Sequence, residues 1–215
     1  MSDSRQPLVI YGAWYFGDVI KEAAEAAGWQ VLGHVDPDPP EGVTTIESIP
    51  PGTAVFVAIG DNKIRAEVTE TLLQHGRSLP CIAHPSASIS PSAQLGPGSY
   101  VAELAIVRTN AVVGEGVVLQ AGCVVSHDCT VAPYASFGPK SAAASKVTVG
   151  QRTVVGAGAV IAPALTIGDD CTVAAGAAVF RNADDNRSLV GNPARATPSP
   201  EQDVIHSDWS SNDVW

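Results

Sequence analysis

A six-residue repeat runs through the second half of this chain and constrains its fold more than any other feature. In steps of six from residue 89 to residue 179, every position carries an apolar side chain, and the residue two places earlier is small or apolar. This pattern predicts one short strand and one tight turn per hexad, with two inward side chains. Three hexads would close one triangular coil, so that residue i stacks on residue i+18 and the coils bury a shared core.

The register of this repeat is unbroken, and it therefore predicts a parallel β-helix over residues 81–182. The inward apolar positions are Ile89, Leu95, Val101, Val107, Val113, Leu119, Val125, Val131, Phe137, Ala143, Val149, Val155, Ile161, Ile167, Val173 and Val179. Small residues at the corners are expected to let the backbone turn without a clash.

The N-terminal part of the chain follows a different pattern. Apolar runs predict strands at residues 8–11, 30–35 and 54–59, and helical patterns lie at residues 19–27 and 64–74. Because strands and helices alternate, we expect a small parallel sheet. The chain is thus predicted to have an α/β Rossmann-like domain at residues 1–80, a β-helix domain at 81–182, and a C-terminal segment with an acidic tail at 183–215.

The composition bears on partners and location. The chain has 215 residues, a formal net charge of −10 and no run of basic residues. An acidic chain of this kind is a poor ligand for the phosphates of nucleic acid or for anionic lipid. The sequence shows no signal-peptide core and no long apolar span. We therefore expect a cytoplasmic protein with neither a nucleic-acid partner nor a membrane partner.

Cysteine and histidine spacing predicts no metal site. The four cysteines contain no CxxC pair, and Cys123, Cys129 and Cys171 fall on inward positions of the repeat. Buried free thiols are the simplest interpretation. The repeat contains one histidine, His127, whereas a zinc enzyme built on such a β-helix needs three.

Four short motifs carry a resemblance to a known family. They are the turn from Gly12 to Gly17, the run IGDNKIR at residues 59–65, the corner His127-Asp128-Cys129, and the run VGNPAR at residues 190–195. In these motifs, which together span residues 8–196, the chain resembles the NeuD/PglD family of bacterial sugar acetyltransferases. The resemblance implies a Rossmann-like domain followed by a left-handed parallel β-helix. It also implies a homotrimer, acetyl-CoA in the groove between neighbouring β-helices, and a nucleotide-linked amino sugar or sialic acid as acceptor.

His127 is the candidate general base. It occupies the third place of its hexad, an outward corner, so its register argues against a core histidine. An attacking amine or hydroxyl must lose a proton, and an imidazole, with an ordinary pKa of about 6.5, can take it near neutral pH. Asp128 would orient the ring, as the neighbouring acid does in the family. A solvated histidine and an ordinary turn aspartate remain the alternatives.

The resemblance also implies how acyl-CoA would bind. One coil after His127 the family usually has a glycine whose N–H holds the thioester carbonyl, and this chain has Ser145 there. Basic side chains of the C-terminal half would meet the CoA phosphates, and corner glycines would let the pantetheine arm approach the backbone. The residues expected to bind acyl-CoA are Ser145, Lys146, Gly156, Gly158, Pro163, Gly176 and Arg195. Scattered surface charges and purely structural glycines are the alternatives.

An acceptor pocket is expected at the carboxyl ends of the N-terminal strands, where open parallel sheets bind ligands. Gly12, Asp36 and Asp61 each follow a predicted strand. Gln120 stands seven positions before His127, where the family has an asparagine. The residues expected to bind the acceptor are Gly12, Trp14, Tyr15, Asp36, Asp61, Asn62 and Gln120.

The function predicted from these features is transfer of an acetyl group from acetyl-CoA to an amino or hydroxyl group of a sugar, most simply a nucleotide-linked one. Trp14 and Tyr15 occupy a turn in which close approach of a phosphate requires small residues. That keeps open an amine acceptor without a nucleotide, from a tailoring or natural-product pathway. A non-catalytic trimeric scaffold or sensor is the third reading, and the sequence leaves open an acyl group longer than acetyl.

Overall fold

A three-stranded parallel sheet forms the N-terminal part of the computed structural model, which describes residues 5–12, 15–36 and 49–198. The elements are β1 (Pro7–Tyr11), α1 (Tyr15–Ala26), β2 (Gln30–Val35), β3 (Ala54–Val57) and α2 (Asn62–Gln74). The strand order is β2-β1-β3, and both pairings with β1 are parallel. The predicted alternation of strands and helices is confirmed.

Both faces of the central strand β1 are buried, which explains why β1 reads as a continuous apolar run. Leu8 and Ile10 point to the side of α1, and Val9 points to the opposite side, where it packs with Leu72 of α2. The core on the α1 side continues into the β-helix, because Tyr100 belongs to the same cluster. Helix α1 therefore lies between the sheet and the β-helix.

Both helices begin earlier than the sequence predicted. Helix α1 starts at Tyr15 and contains Gly17, where a Cβ atom would overlap the carbonyl oxygen of Gly12. Gly17 thus permits close packing of the helix on the end of β1, rather than forming a turn. Helix α2 starts at Asn62, because the Asp61 carboxylate accepts hydrogen bonds from the backbone N–H groups at positions 63 and 64, both at 2.9 Å. Strand β3 ends at Val57, slightly before the expected position.

The hexapeptide repeat forms a parallel β-helix of about six turns, as predicted. Its two-residue strands are β4 (Ile82–Ala83), β5 (Ser88–Ile89), β6 (Gln94–Leu95), β7 (Tyr100–Val101), β8 (Ile106–Val107), β9 (Val112–Val113), β10 (Val118–Leu119), β11 (Val124–Val125), β12 (Thr130–Val131), β13 (Ser136–Phe137), β14 (Ala142–Ala143), β15 (Thr148–Val149), β16 (Val154–Val155), β17 (Val160–Ile161), β18 (Thr166–Ile167), β19 (Thr172–Val173) and β20 (Ala178–Val179). Each pairs with the strand three hexads away, as Tyr100 pairs with Val118.

The inward side chains are those that the register predicted. From Val101 to Val179 the second residue of every strand is buried, and so are Cys123, Cys129 and Cys171. Polar residues at inward positions satisfy their hydroxyl groups locally: the hydroxyl of Ser141, for example, donates to the Gly138 carbonyl at 2.7 Å. All four cysteines are free thiols.

The corners show that two kinds of glycine serve two purposes. The second residue of each turn has a positive φ at every sixth position from Gly98 to Gly176, and many of these residues are not glycine, as at Asp128. Glycines directly after a strand have another role. A Cβ atom on Gly114 would lie 2.7 Å from the Pro133 nitrogen of the next coil. These glycines permit stacking of the coils, so the sequence-based explanation, that small corner residues serve the turn itself, was incomplete.

The three sides of the β-helix differ in their outward residues. The side of β7 and β10 is covered by the N-terminal part, and Tyr100 and Val118 are buried there. The side of β12, β15 and β18 presents threonines. We call the third side the apolar face, because its outward residues are Ile106, Val124, Ala142, Val160 and Ala178.

The β-helix core extends beyond residue 182, where the repeat was expected to end. Ala183 and Leu189 are buried in the same core. Strand β21 (Arg187–Gly191) adds to β19 in parallel, and β22 (Ala194–Pro198) returns antiparallel to β21. The last coil is shorter than the others, since Ile167 bridges Ala183 rather than position 185. A strict six-residue count therefore misses it. The acidic tail with Trp209 and Trp215 lies outside the described residues.

Two side chains of α2, Arg65 and Asn62, join the two parts of the molecule by hydrogen bonds. The Arg65 guanidinium of α2 donates to the carbonyl oxygens of Gly116 and Tyr134, at 2.9 Å each, on two successive coils. Asn62 accepts from Arg65 at 2.6 Å and donates to the Arg152 carbonyl of a third coil at 2.9 Å. The start of α2 is thereby held against one corner of the β-helix. Within the described residues, no helix combines the length and apolar character needed to cross a membrane.

Candidate active site

His127 and Asp128 form the turn between β11 and β12, on an exposed corner as predicted. The ring Nδ1 lies 2.7 Å from the Asp128 carboxylate, and the two side chains are 49% and 41% exposed. A carboxylate at this distance favours the tautomer with the proton on Nδ1, so Nε2 carries the free lone pair. That nitrogen makes no hydrogen bond to any residue that the structure describes. The ring is therefore oriented, and its basic nitrogen is available.

Asn110 holds Asp128 from the preceding coil. Its side-chain nitrogen donates to the Asp128 carboxylate at 3.1 Å. The hydrogen bonds from His127 and then from Asn110 lower the pKa of Asp128, and the positive charge of Lys146 adds a smaller effect. Asp128 therefore stays ionised and can stabilise a protonated His127. We did not predict Asn110 from the sequence, although it stands exactly one coil before Asp128 and the stacking rule could have identified it.

Three of the residues expected to bind acyl-CoA lie in one column with His127. We call this stack of turns the His127 column: residues 109–110, 127–128, 145–146 and 163–164. The backbone N–H of Lys146 donates to the His127 carbonyl at 3.0 Å, and that of Ala164 donates to the Ser145 carbonyl at 2.9 Å. Ser145, Lys146 and the exposed Pro163 thus follow His127 along one edge of the apolar face.

The glycines expected to bind acyl-CoA lie along the opposite edge of the apolar face. Gly158 and Gly176 belong to stacked turns, since the Gly176 N–H donates to the Ala157 carbonyl at 2.9 Å. We call this stack the glycine column: residues 121–122, 139–140, 157–158 and 175–176. Gly156 packs tightly against the next coil. A Cβ atom added to Gly156 would lie 2.6 Å from the backbone nitrogen of Ala175. Arg195 lies apart on β22 and is exposed. Within one chain these residues do not form one pocket.

The structure brings Gly12 and Asp36 to one edge of the sheet, as expected for strand ends. Tyr11 pairs with both Val35 and Val57, and the Gly12 N–H donates to the Val35 carbonyl at 2.8 Å. Gly12 has a φ of +119°. Asp36 is buried, with 8% of its surface exposed.

The other acceptor candidates are spread over several places. Tyr15 is the first residue of α1 and is 71% exposed, while Trp14 lies outside the described residues. Asp61 caps α2. Asn62 is 7% exposed, and its side-chain amide accepts from Arg65 and donates to the Arg152 carbonyl. These contacts account for both residues structurally, and binding of an acceptor by them stays a prediction. The side chain of Gln120 is half-buried beside α1 and makes no hydrogen bond within the described part of the chain.

Over the described ranges, no cluster of three or more histidine, cysteine or acidic residues is arranged to hold a metal ion.

Known proteins share both the fold and this arrangement of elements. The sequence profile of the PglD N-terminal domain matches residues 7–72, and that of the bacterial transferase hexapeptide (six repeats) matches residues 146–181. PerB from Caulobacter crescentus, crystallised with CoA and GDP-perosamine, is 35% identical and has a TM-score of 0.85 over 92% of this chain and 100% of that chain. The chain belongs to the NeuD/PglD family of sugar acetyltransferases.

Two further relatives agree with this assignment. The acetyltransferase domain of PglB from Neisseria gonorrhoeae, crystallised with acetyl coenzyme A, is 28% identical with a TM-score of 0.83, over 90% of this chain and 100% of that chain. GDP-perosamine N-acetyltransferase from Escherichia coli O157:H7 is 31% identical over 75 residues. That match spans 35% of this chain and 34% of the relative. The family resemblance drawn from the four motifs is confirmed.

Proposed function

We propose that this protein transfers the acetyl group of acetyl-CoA to an amino group of a nucleotide-linked sugar. The observation that carries the proposal is the oriented His127–Asp128 pair on an exposed corner. The ring Nδ1 of His127 lies 2.7 Å from the Asp128 carboxylate, and Nε2 makes no hydrogen bond to the described residues. Support comes from PerB, which aligns over nearly the whole chain and holds CoA together with a nucleotide-linked amino sugar.

In the proposed reaction His127 acts as the general base. The acceptor nitrogen attacks the thioester carbonyl, and Nε2 takes the proton that the nitrogen loses. The ionised Asp128 stabilises the resulting imidazolium, and the Ser145 N–H donates to the carbonyl oxygen as negative charge develops there. Collapse of the tetrahedral intermediate breaks the C–S bond, and the imidazolium returns its proton to the departing thiolate. The products are an N-acetyl sugar and CoA.

A trimer that covers the apolar face is part of the proposal. Val160 is 47% exposed on this face, and the neighbouring Phe180 is 60% exposed. The face is bordered by the His127 column on one edge and by the glycine column on the other. A threefold interface joins two different patches of the same chain. Pairing these two edges would place the His127 column of one subunit opposite the glycine column of the next and enclose a groove for CoA.

The N-terminal domain, residues 1–80, is proposed to hold the acceptor. Its strand ends carry Gly12 and Asp36, and α1 runs close to the glycine-column edge of its own β-helix. In the proposed trimer the acceptor would therefore reach His127 of the neighbouring subunit. Residues 81–182 would form the transferase domain, and residues 183–215 a C-terminal segment with Arg195 near CoA. A cytoplasmic location fits the four free thiols.

The test is His127→Ala, assayed by release of CoA thiol with acetyl-CoA and GDP-perosamine. Loss of a general base lowers kcat by about 10²–10⁴-fold. We expect little change in the KM for acetyl-CoA, because the base acts on the proton of the acceptor. His84→Ala is a matched control, since His84 is also bonded to a neighbour, the Ser86 hydroxyl, at 2.8 Å in an exposed setting. Wild-type kcat in His127→Ala would refute the mechanism.

A further inference from the structure

The side chain of His34 links the ends of the first two strands. His34 lies on β2, where it pairs with Ile10 of β1, and its side chain is 16% exposed. The ring Nδ1 lies 3.0 Å from the carbonyl oxygen of Gly12, the residue that follows β1. A carbonyl oxygen can only accept a hydrogen bond, so Nδ1 carries a proton and is the donor. The bond therefore ties β2 to the connection between β1 and α1.

The same imidazole ring packs against the first turn of α1. A Cβ atom on Gly17 would lie 2.9 Å from the His34 Nδ1, so the glycine leaves the ring its space. The carboxylate of Asp18 lies 3.8 Å from the ring Nε2, which is too long for a hydrogen bond. Within the described residues, the bond to Gly12 is thus the one side-chain hydrogen bond that His34 makes. The ring sits between the end of β1 and the start of α1.

Gly12 is held on its other sides by the neighbouring strands. Its N–H donates to the Val35 carbonyl at 2.8 Å, and a Cβ atom added to it would lie 2.6 Å from the Ala58 carbonyl oxygen, just after β3. Its φ of +119° is a conformation that glycine adopts readily. The strands thereby fix the N–H and the Cα of Gly12. His34 fixes the remaining direction, that of the peptide group that leads from Gly12 towards α1.

This connection lies where the acceptor is proposed to bind. Asp36 follows β2, two residues after His34, and Gly12 lies at the same edge of the sheet. Tyr15, another acceptor candidate, is the first residue of α1. A peptide group is planar, so the direction of the Gly12 carbonyl sets the orientation of the whole peptide group that follows. His34 therefore controls how Gly12 and the start of α1 are placed relative to Asp36.

We propose that His34 is a positioning residue for the acceptor, which holds the β1–α1 connection in the conformation that binds the nucleotide-linked sugar. The inference rests on the proposed function and adds to it a residue that acts through Gly12 and the start of α1. A connection that is ordered before binding loses less conformational freedom when the acceptor arrives, and this strengthens acceptor binding. Binding of acetyl-CoA and the proton transfer at His127 take place on the β-helix and do not depend on this connection.

The test is His34→Leu, which removes the donor and keeps an apolar side chain in its place. With acetyl-CoA and GDP-perosamine we expect the acceptor KM to rise about 3–10-fold, as for loss of one net hydrogen bond. The value of kcat and the KM for acetyl-CoA should each change less than about twofold, because the variant weakens acceptor binding alone. A merely structural role would lower the urea midpoint and leave the acceptor KM of the folded enzyme unchanged. An unchanged acceptor KM would overturn the proposal.

Two amide variants test whether the Nδ1 bond is responsible. The amide nitrogen of asparagine is as many bonds from the backbone as Nδ1 of histidine, so His34→Asn can still donate to Gly12. We expect its acceptor KM to lie within about twofold of the wild type. His34→Gln places the amide one bond further away and should behave like His34→Leu. Equal acceptor KM values for the asparagine and glutamine variants would overturn the proposal, even if His34→Leu does not fold.

His75→Leu is the matched control, because the His75 Nδ1 also donates to a backbone carbonyl, that of Thr71 at 2.7 Å. His75 ends α2, and the Val55 N–H bond to the Ser78 carbonyl at 2.9 Å places the following segment near the start of β3. This is the edge of the sheet opposite Gly12, so both KM values should stay unchanged.

The outcomes separate this inference from the proposed function. If the wild-type enzyme acetylates neither GDP-perosamine nor UDP-linked amino sugars, the proposed function fails and the role of His34 fails with it. If the wild type is active and His34→Leu matches it, the role of His34 fails alone. An equal rise of the acceptor KM in His34→Leu and His75→Leu would also count against it.

Discussion

Replacement of Arg65 by methionine should weaken the contact between the N-terminal part and the β-helix, and so lower the free energy of unfolding. The guanidinium is 1% exposed, and within the described residues its hydrogen-bond acceptors are carbonyl, amide and hydroxyl oxygens rather than a carboxylate. Burial lowers its pKa to about 10, so the group remains protonated at neutral pH. A buried cation is thus held by neutral oxygens from both parts of the chain.

The magnitude follows from the groups that Arg65→Met would leave without a donor. The carbonyls of Ile59 and Gly60 lie at partly buried positions, where water can replace the guanidinium. The carbonyls of Gly116 and Tyr134 are buried, and each orphaned acceptor costs about 1–3 kcal/mol. Asn62 keeps its hydrogen bond from the Ser136 hydroxyl at 2.6 Å. With two buried carbonyls left without a donor, we therefore expect a loss of about 2–6 kcal/mol in the free energy of unfolding.

Urea denaturation followed by circular dichroism measures this loss, with Arg152→Met as the control. Arg152 pairs with Asp170 at 2.6 Å, but the two side chains are 29% and 23% exposed. Pairs with access to water contribute about 0–1 kcal/mol, so the control should lose little. The reasoning would be refuted if Arg65→Met cost less than about 1 kcal/mol, or no more than Arg152→Met.

Two further substitutions test the stacking of the coils and the assembly. Gly156→Ala should lower the free energy of unfolding by about 1–3 kcal/mol, measured by thermal or urea denaturation, because the added Cβ would lie 2.6 Å from the Ala175 nitrogen. The control is Gly60→Ala, which should be neutral, because a Cβ added at Gly60 meets no described atom within 4 Å. Equal stability of the two variants would contradict the close approach of the coils. Val160→Glu on the apolar face should convert the proposed trimer into monomers in light scattering, while Thr148→Glu at the corresponding strand position of the threonine side should leave the proposed trimer intact. A wild-type monomer at micromolar concentration, or a trimeric Val160→Glu, would count against the proposed assembly.

The sequence determined the architecture because the repeat encodes it locally. Each hexad specifies its own strand, its inward residues and its turn, and the stacking of coils follows from three hexads per coil. The register alone therefore predicts Val155 and Cys123 as core residues, and both are fully buried. The corner position of His127 followed from the same count, whereas its pairing with the adjacent Asp128 was expected from the family resemblance, with an ordinary turn aspartate as the alternative.

The tertiary structure decided what depends on contacts between distant segments. Arg65 reads as an ordinary helix residue, and its burial appears when α2 docks against Gly116, far along the chain. Tyr100 reads as an outward strand residue, and α1 covers it and leaves its hydroxyl unpaired among the described residues. The periodicity of apolar residues predicts which side of a helix or strand faces its own core. It does not predict which of the outward sides a second part of the chain will cover. The contact between the two parts therefore emerged from the structure alone.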